Sequence, residues 1–177
     1  MANRVTLDEV LAAKETRRAK QNELRQQTGL PVVSITINMP GSIKDFPVLR
    51  QLCDYAVDEV KARLNVVAEQ RVNPVTGPEA LLAVAGEADQ IKAVTVAIEE
   101  AEAFGRLLDI DVFDAKGELL SRQQAGQGRY CLVCSQPVIV CMRERRHSEE
   151  QLLQAVWQLL DQFRAHLTHR MTSRRAT

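Results

Sequence analysis

Between positions 32 and 113 the apolar residues change period in an order that few folds accommodate. Val32-Val33-Ser34-Ile35-Thr36 is rich in β-branched side chains and predicts a strand over 32–38. Leu49, Leu52, Cys53, Ala56, Val57, Val60 and Leu64 then recur at the i, i+3, i+4 spacing of a buried helical stripe, with Asp45 expected as its N-cap. Strands are expected at 65–72 and 80–85, joined across Asn73-Pro74-Val75-Thr76-Gly77-Pro78. A helix over 88–102 turns Ile91, Val94, Ile98 and Ala101 inward, and a strand follows at 107–113. Strand, helix, strand, strand, helix, strand is the split βαββαβ order, so the chain is expected to be α+β with a ferredoxin-like core.

The flanks add one helix at each end. Thr6-x-x-Glu9 is a capping box opening a helix to about position 27, where Thr28-Gly29-Leu30-Pro31 stops it. Asp114-Ala115-Lys116-Gly117 reads as a hairpin turn into 118–122, an irregular cysteine-rich segment follows, and Ser148-x-x-Gln151 caps a last helix. Beyond His169 the tail is basic and expected to fray. With 177 residues the chain suits a single domain over 1–177: an N-terminal helix in 1–30, an α/β core in 31–122, a Cys-rich segment in 123–147 and a C-terminal helix in 148–170. No apolar run approaches a membrane span, and Met1 to Val10 carries no segment fit for a secretory signal, so the cytoplasm is the expected setting.

The 23 basic and 23 acidic side chains cancel, and aromatics are only 4%, which argues against a nucleic-acid binder built on charge or base stacking. The balance is uneven along the chain. Nine acidic and three basic residues lie between Glu87 and Glu118, against five Arg and one Glu between Arg122 and His147. Such blocks suit either a site joining a metal to a polyanion or two solvated faces.

Within the acidic block, Asp109-x-Asp111 places two carboxylates on one face of the 107–113 strand, while Leu108, Ile110 and Val112 take the other. Paired carboxylates are costly unless a cation joins them, and Mg²⁺ typically takes one or two together with substrate phosphates. A plain alternating surface strand would read the same way. Cys131-x2-Cys134-x6-Cys141-x5-His147 offers a Cys₃His set for Zn²⁺, in competition with a redox dithiol or three buried thiols. Cys53, on an apolar stripe, reads as a small buried hydrophobe. Met39-Pro40-Gly41-Ser42-Ile43-Lys44 precedes a helix whose free amides could meet phosphate, although the P-loop spacing is absent. In a ferredoxin-like sheet this loop would lie near 106–109.

Taken together, these segments resemble a known family. Val32 to Thr36, Pro40-Gly41-Ser42-Ile43-Lys44-Asp45, Thr76-Gly77-Pro78-Glu79-Ala80-Leu81 and Gly105-Arg106-Leu107-Leu108-Asp109-Ile110-Asp111-Val112 are similar to the citrate lyase holo-acyl-carrier-protein synthases. Gly117-Glu118-Leu119-Leu120-Ser121-Arg122, Arg129-Tyr130-Cys131-Leu132-Val133-Cys134 and the stretch from Cys141 to His147 continue the likeness. The resemblance implies a nucleotidyltransferase-type reaction. The 2′-(5″-phosphoribosyl)-3′-dephospho-CoA group would move from its triphosphoribosyl precursor to a serine of the citrate lyase acyl carrier (gamma) subunit, releasing pyrophosphate. It further implies Asp109 and Asp111 as catalytic Mg²⁺ ligands and Arg106, Lys44, Gly41 and Arg129 as phosphate contacts. Glu79 and His147 are candidate bases for the serine, and Arg17, Arg18, Arg143, Arg145 and Arg146 candidate contacts for an acidic carrier. The family usually has His-Pro shortly before Gly-Arg; here Glu102-Ala103-Phe104 stands there, so no role for that His carries over. The alternatives from another class are a non-catalytic zinc module that binds protein or nucleic acid, and a degenerate carrier-binding factor.

Overall fold

A computed structural model describes residues 4–120, 130–134 and 136–175. Helix α1 (Leu7–Thr28) starts at the expected capping box: Glu9 N–H donates to Thr6 Oγ1, and Thr6 N–H donates to the Glu9 carboxylate at 2.7 Å. It stops at Gly29, whose φ of 69° is the left-handed turn that glycine adopts without a Cβ penalty. Strand β1 (Val32–Ile37) leads through the Pro40-Gly41-Ser42 loop to α2 (Pro47–Arg63). The cap of α2 differs from expectation. Phe46 occupies the N-cap position without a side-chain bond and Pro47 supplies the preset φ of the first turn, while Asp45 is drawn off by Arg50, whose Nε lies 2.8 Å from its carboxylate.

Strands β2 (Asn65–Val72) and β3 (Glu79–Ala85), helix α3 (Ala88–Ala101), a short 3-10 helix at Ala103–Leu107 and strand β4 (Leu108–Phe113) complete the core. The four strands form one antiparallel sheet in the order β2-β3-β1-β4. β1 is therefore central, with Thr36 opposite both Glu79 on β3 and Asp109 on β4. The turn after β4 brings Leu119 opposite Phe113, and Asp114 N–H donates to Glu118 O at 2.9 Å, while the rest of the expected hairpin, 121–122, lies outside the described residues.

The two faces of the sheet are covered unequally. Val33, Ile35, Leu82, Val84, Ile110 and Val112 join the main core with α2, α3 and α5 (Glu149–Arg175). On the other face Leu24 of α1 packs with Val32, Leu81 and Ala83 in a small second cluster. On the outer edge of β4, Leu120 N–H donates to Val112 O at 2.9 Å, and helix α3 serves the Ile110 position, where Glu99 Oε1 accepts from Ile110 N–H at 2.9 Å and Lys92 Nζ donates to Ile110 O at 3.1 Å. Helix α5 is capped by Ser148 and Gln151 as expected and is helical on past His169. Arg170 pairs with Glu59 at 2.9 Å and lies over the Tyr55 ring, and the helix continues to Arg175. No helix among the described residues is long and apolar enough to cross a membrane.

Candidate functional site

The face of the sheet beneath α1 changes character along the strands. At one end Val32, Leu81 and Ala83 are apolar and meet Leu24. Two residues further along β1 the row reads Leu81, Ser34 and Asp111, and the next reads Glu79, Thr36 and Asp109. Period two alone puts these polar groups on one surface. Thr36 Oγ1 donates to Asp109 Oδ2 at 3.4 Å, and both aspartates are half-buried. At the same end of the face α1 turns polar too. Gln21 is buried, and Arg17 reaches Glu79 at 2.5 Å, where only 7% of that glutamate remains exposed. Two carboxylates flanked by hydroxyls on rigid strands form an all-oxygen donor set suited to a hard divalent cation.

The two glycine turns come together at the same end. Gly41 and Gly77 both have positive φ, at 78° and 110°. A Cβ on Gly77 would stand 3.2 Å from Lys44 O, and one on Gly41 would stand 2.7 Å from Glu149 Oε1, so the loop is pressed between the 74–78 turn and the start of α5. Lys44 Nζ donates to Met39 O, and burial pushes its pKa down while Glu149 works the other way.

A cavity of about 770 Å³ opens where β1 ends and β4 begins. Asn38 N–H donates to Leu107 O at 2.7 Å, which brings these two strand ends into contact. Leu108, Leu132, Val138 and Leu152 give the cavity apolar wall, and Arg106, Arg145, Glu99, Glu100 and Glu102 line the rest of it with both signs of charge. Gly105 permits this geometry: a Cβ there would lie 2.5 Å from Glu99 O, backbone that cannot readily move. Arg106 Nη2 donates to Cys131 O at 2.5 Å, tying the start of β4 to the cysteine segment.

That segment contains a short helix, α4 (Val138–Glu144), where the sequence suggested only irregular chain. It carries Cys141 towards Cys131, Cys134 and His147, and the four ligand atoms lie within 4.8 Å of one another. Cys134 Sγ is 3.4 Å from Cys141 Sγ and 3.3 Å from His147 Nε2. Around tetrahedral zinc such atoms stand about 3.5–3.8 Å apart, so the donor set fits a zinc ion in number, type and spacing. The four cysteines are free thiols. Burial opposes ionisation of Cys131, but the amides of Val133 and Cys134 and the neighbouring thiols bring its pKa below the ordinary value. Burial and those neighbours push Cys141 up to about 12. Ligation as thiolates would gather negative charge in a small space, which a bound cation would offset.

The comparisons with known proteins bear on this arrangement. Residues 5–163 match the family described as apo-citrate lyase phosphoribosyl-dephospho-CoA transferase. A probable apo-citrate lyase phosphoribosyl-dephospho-CoA transferase of Vibrio cholerae serotype O1 (strain M66-2) is 39% identical over 156 residues, covering 84% of this chain and 88% of the relative. The apo-citrate lyase phosphoribosyl-dephospho-CoA transferase of Escherichia coli O139:H28 (strain E24377A / ETEC) is 32% identical over 163 residues, covering 89% of each. The chain belongs to this family.

Within the family likeness, Asp109 and Asp111 lie side by side as expected, while Arg106 lies at the cavity and Arg129 outside the described residues. Cys131, Cys134, Cys141 and His147 converge. Of the candidate bases, His147 faces Cys134 and Glu79 faces Arg17. Arg17 thus points at a buried carboxylate, whereas Arg18, Arg143 and Arg145 are exposed. Sequence reasoning missed Ser34 and Thr36, although their alternation with Val33 and Ile35 marks the same face as the aspartates. The Arg17–Glu79 pair joins α1 to β3 across 62 residues and has no local signal.

Proposed function

We propose that this chain transfers 2′-(5″-phosphoribosyl)-3′-dephospho-CoA from the triphosphoribosyl precursor to a serine of the apo citrate lyase acyl carrier subunit, releasing pyrophosphate. The match over residues 5–163, with Asp109 and Asp111 inside it, carries this reading. The reaction is a nucleotidyltransferase-type displacement at phosphorus, where positioning and charge neutralisation matter more than covalent catalysis. It runs on one ferredoxin-like domain in the cytoplasm. The strand order β2-β3-β1-β4 and the all-antiparallel pairing support that fold assignment.

Asp109 and Asp111 would hold Mg²⁺, and Thr36 orients the Asp109 carboxylate through its hydroxyl. Bound Mg²⁺ would supply charge neutralisation to the triphosphate and to the departing pyrophosphate. Arg106, Lys44 and Arg129 contact the phosphates, with Gly41 giving the loop close backbone approach, and the apolar wall of the cavity takes the less polar arm of the donor. Cys131, Cys134, Cys141 and His147 hold Zn²⁺ away from the chemistry, because four protein ligands leave no open position.

The test is pyrophosphate release with apo carrier and triphosphoribosyl-dephospho-CoA. Release that needs carrier, donor and Mg²⁺ together is expected. A carrier that binds but never triggers release would reduce the protein to a carrier-binding factor.

A further inference from the structure

We propose that the Cys131, Cys134, Cys141 and His147 site is a zinc clamp that fixes one wall of the 770 Å³ cavity, so that zinc occupancy governs nucleotide binding there. The second half rests on the reading of that cavity as the donor site.

The described residues between 130 and 147 bury little. Tyr130, Ile139 and Met142 are 59%, 53% and 69% exposed, and α4 has only seven residues. The buried side chains among those described are Cys131 and Cys141, both ligands, while Leu132, Val138 and Val140 are partly buried and Cys131 N–H donates to Gln136 O at 2.8 Å. A segment that cannot bury its apolar side chains needs a staple, and metal binding then supplies its folding energy. The chain path carries strain as well. Arg145 sits at φ 47° and ψ 43°, a left-handed conformation unusual for a residue with a Cβ, and this turn sends the chain back so that His147 reaches Cys134.

The same residues are cavity wall. Cys131, Cys141 and His147 line it, with Tyr130, Met142 and Arg145 beside them. Arg106, from the other wall, donates to the carbonyls of Cys131 and Tyr130 at 2.5 and 3.4 Å. Displacing the cluster removes those acceptors from Arg106. Zinc enters without redox change: each of the three thiols gives its proton to solvent as its Zn–S bond forms, and neutral His147 contributes the Nε2 lone pair.

The experiment uses the full-length protein, purified reduced, with zinc measured per chain and dephospho-CoA titrated calorimetrically before and after zinc removal. About one zinc per chain is expected. Cobalt substitution should give the intense visible bands of a tetrahedral thiolate site, and C141S should lose the metal while C53A keeps it. Zinc-free protein should bind dephospho-CoA at least about tenfold more weakly. Hydrogen exchange should show protection lost over 130–147 and kept in β1 to β4. Wild-type protein that neither contains zinc nor takes up cobalt overturns the site, and equal affinity with and without zinc overturns the clamp. Should zinc-loaded protein fail to bind dephospho-CoA, the donor reading of the cavity falls by itself. Protection over 130–147 then decides the clamp, which fails if protection survives zinc removal.

Discussion

The α1 side of the sheet and the cysteine side of the cavity solve the same problem, placing charged groups close together, by different means. Asp109 and Asp111 are placed by the backbone: β4 is registered on β1 from Leu108 to Phe113, and Leu108, Ile110 and Val112 are buried behind them. Their separation is a property of the strand and needs no ligand to maintain it. Cys131, Cys134, Cys141 and His147 are placed by a bend, a seven-residue helix and a strained turn, with few apolar side chains to pack. The strand register alone sets the first region. Under the clamp proposal the second depends on zinc.

The largest expected effect comes from breaking the first region alone. D109N or D111N should lower Mg²⁺-dependent pyrophosphate release by at least about a hundredfold, roughly 2.7 kcal/mol of transition-state stabilisation. Melting temperature and zinc content should stay unchanged; a fall in either would show that the two regions are not independent. Gly105 sits where they meet. G105A forces a Cβ onto Glu99 O and should cost about 1–3 kcal/mol in urea unfolding, with looser 130–134 segments in hydrogen exchange. A stability equal to wild type would mean that the 3-10 turn yields freely.

A smaller effect is expected at the carrier surface. Charge reversal at Arg143, which is exposed, should slow carrier association severalfold at low salt and little at high salt. Turnover at saturating carrier should be unchanged, and indifference at low salt would move docking to another face. The smallest effect belongs to a control outside both regions. Burial raises the Glu59 pKa, but Arg63 and Arg170 lower it more, so the carboxyl stays below its ordinary range. With the folded pKa depressed, the stabilisation is present above the unfolded pKa and lost as pH falls through the folded one. E59Q should therefore cost under about 1 kcal/mol near neutrality, and its difference from wild type should vanish in acid.

The same contrast explains what the sequence revealed. Period and local capping located α1, the four strands and the shared face of the aspartates, since each depends on residues a few positions apart. Asp45 looked like a cap because its chemistry is right, yet Arg50 five residues on competes for the same carboxylate. Helix α4 was hidden because Val138-Ile139-Val140 is a β-branched run that prefers extended chain, and the helix forms around the position of Cys141 instead. Arg17–Glu79 and Glu99–Ile110 are tertiary contacts with no sequence period to announce them.

The central claim, that Asp109 and Asp111 serve a transfer to carrier protein, is tested most directly by intact-mass spectrometry of the apo carrier after incubation with triphosphoribosyl-dephospho-CoA and Mg²⁺. Wild-type protein should add one phosphoribosyl-dephospho-CoA mass to a single serine, and D109N should leave the carrier unmodified over the same interval. A wild-type reaction that leaves the carrier mass unchanged, or D109N modifying it at the wild-type rate, would contradict the account.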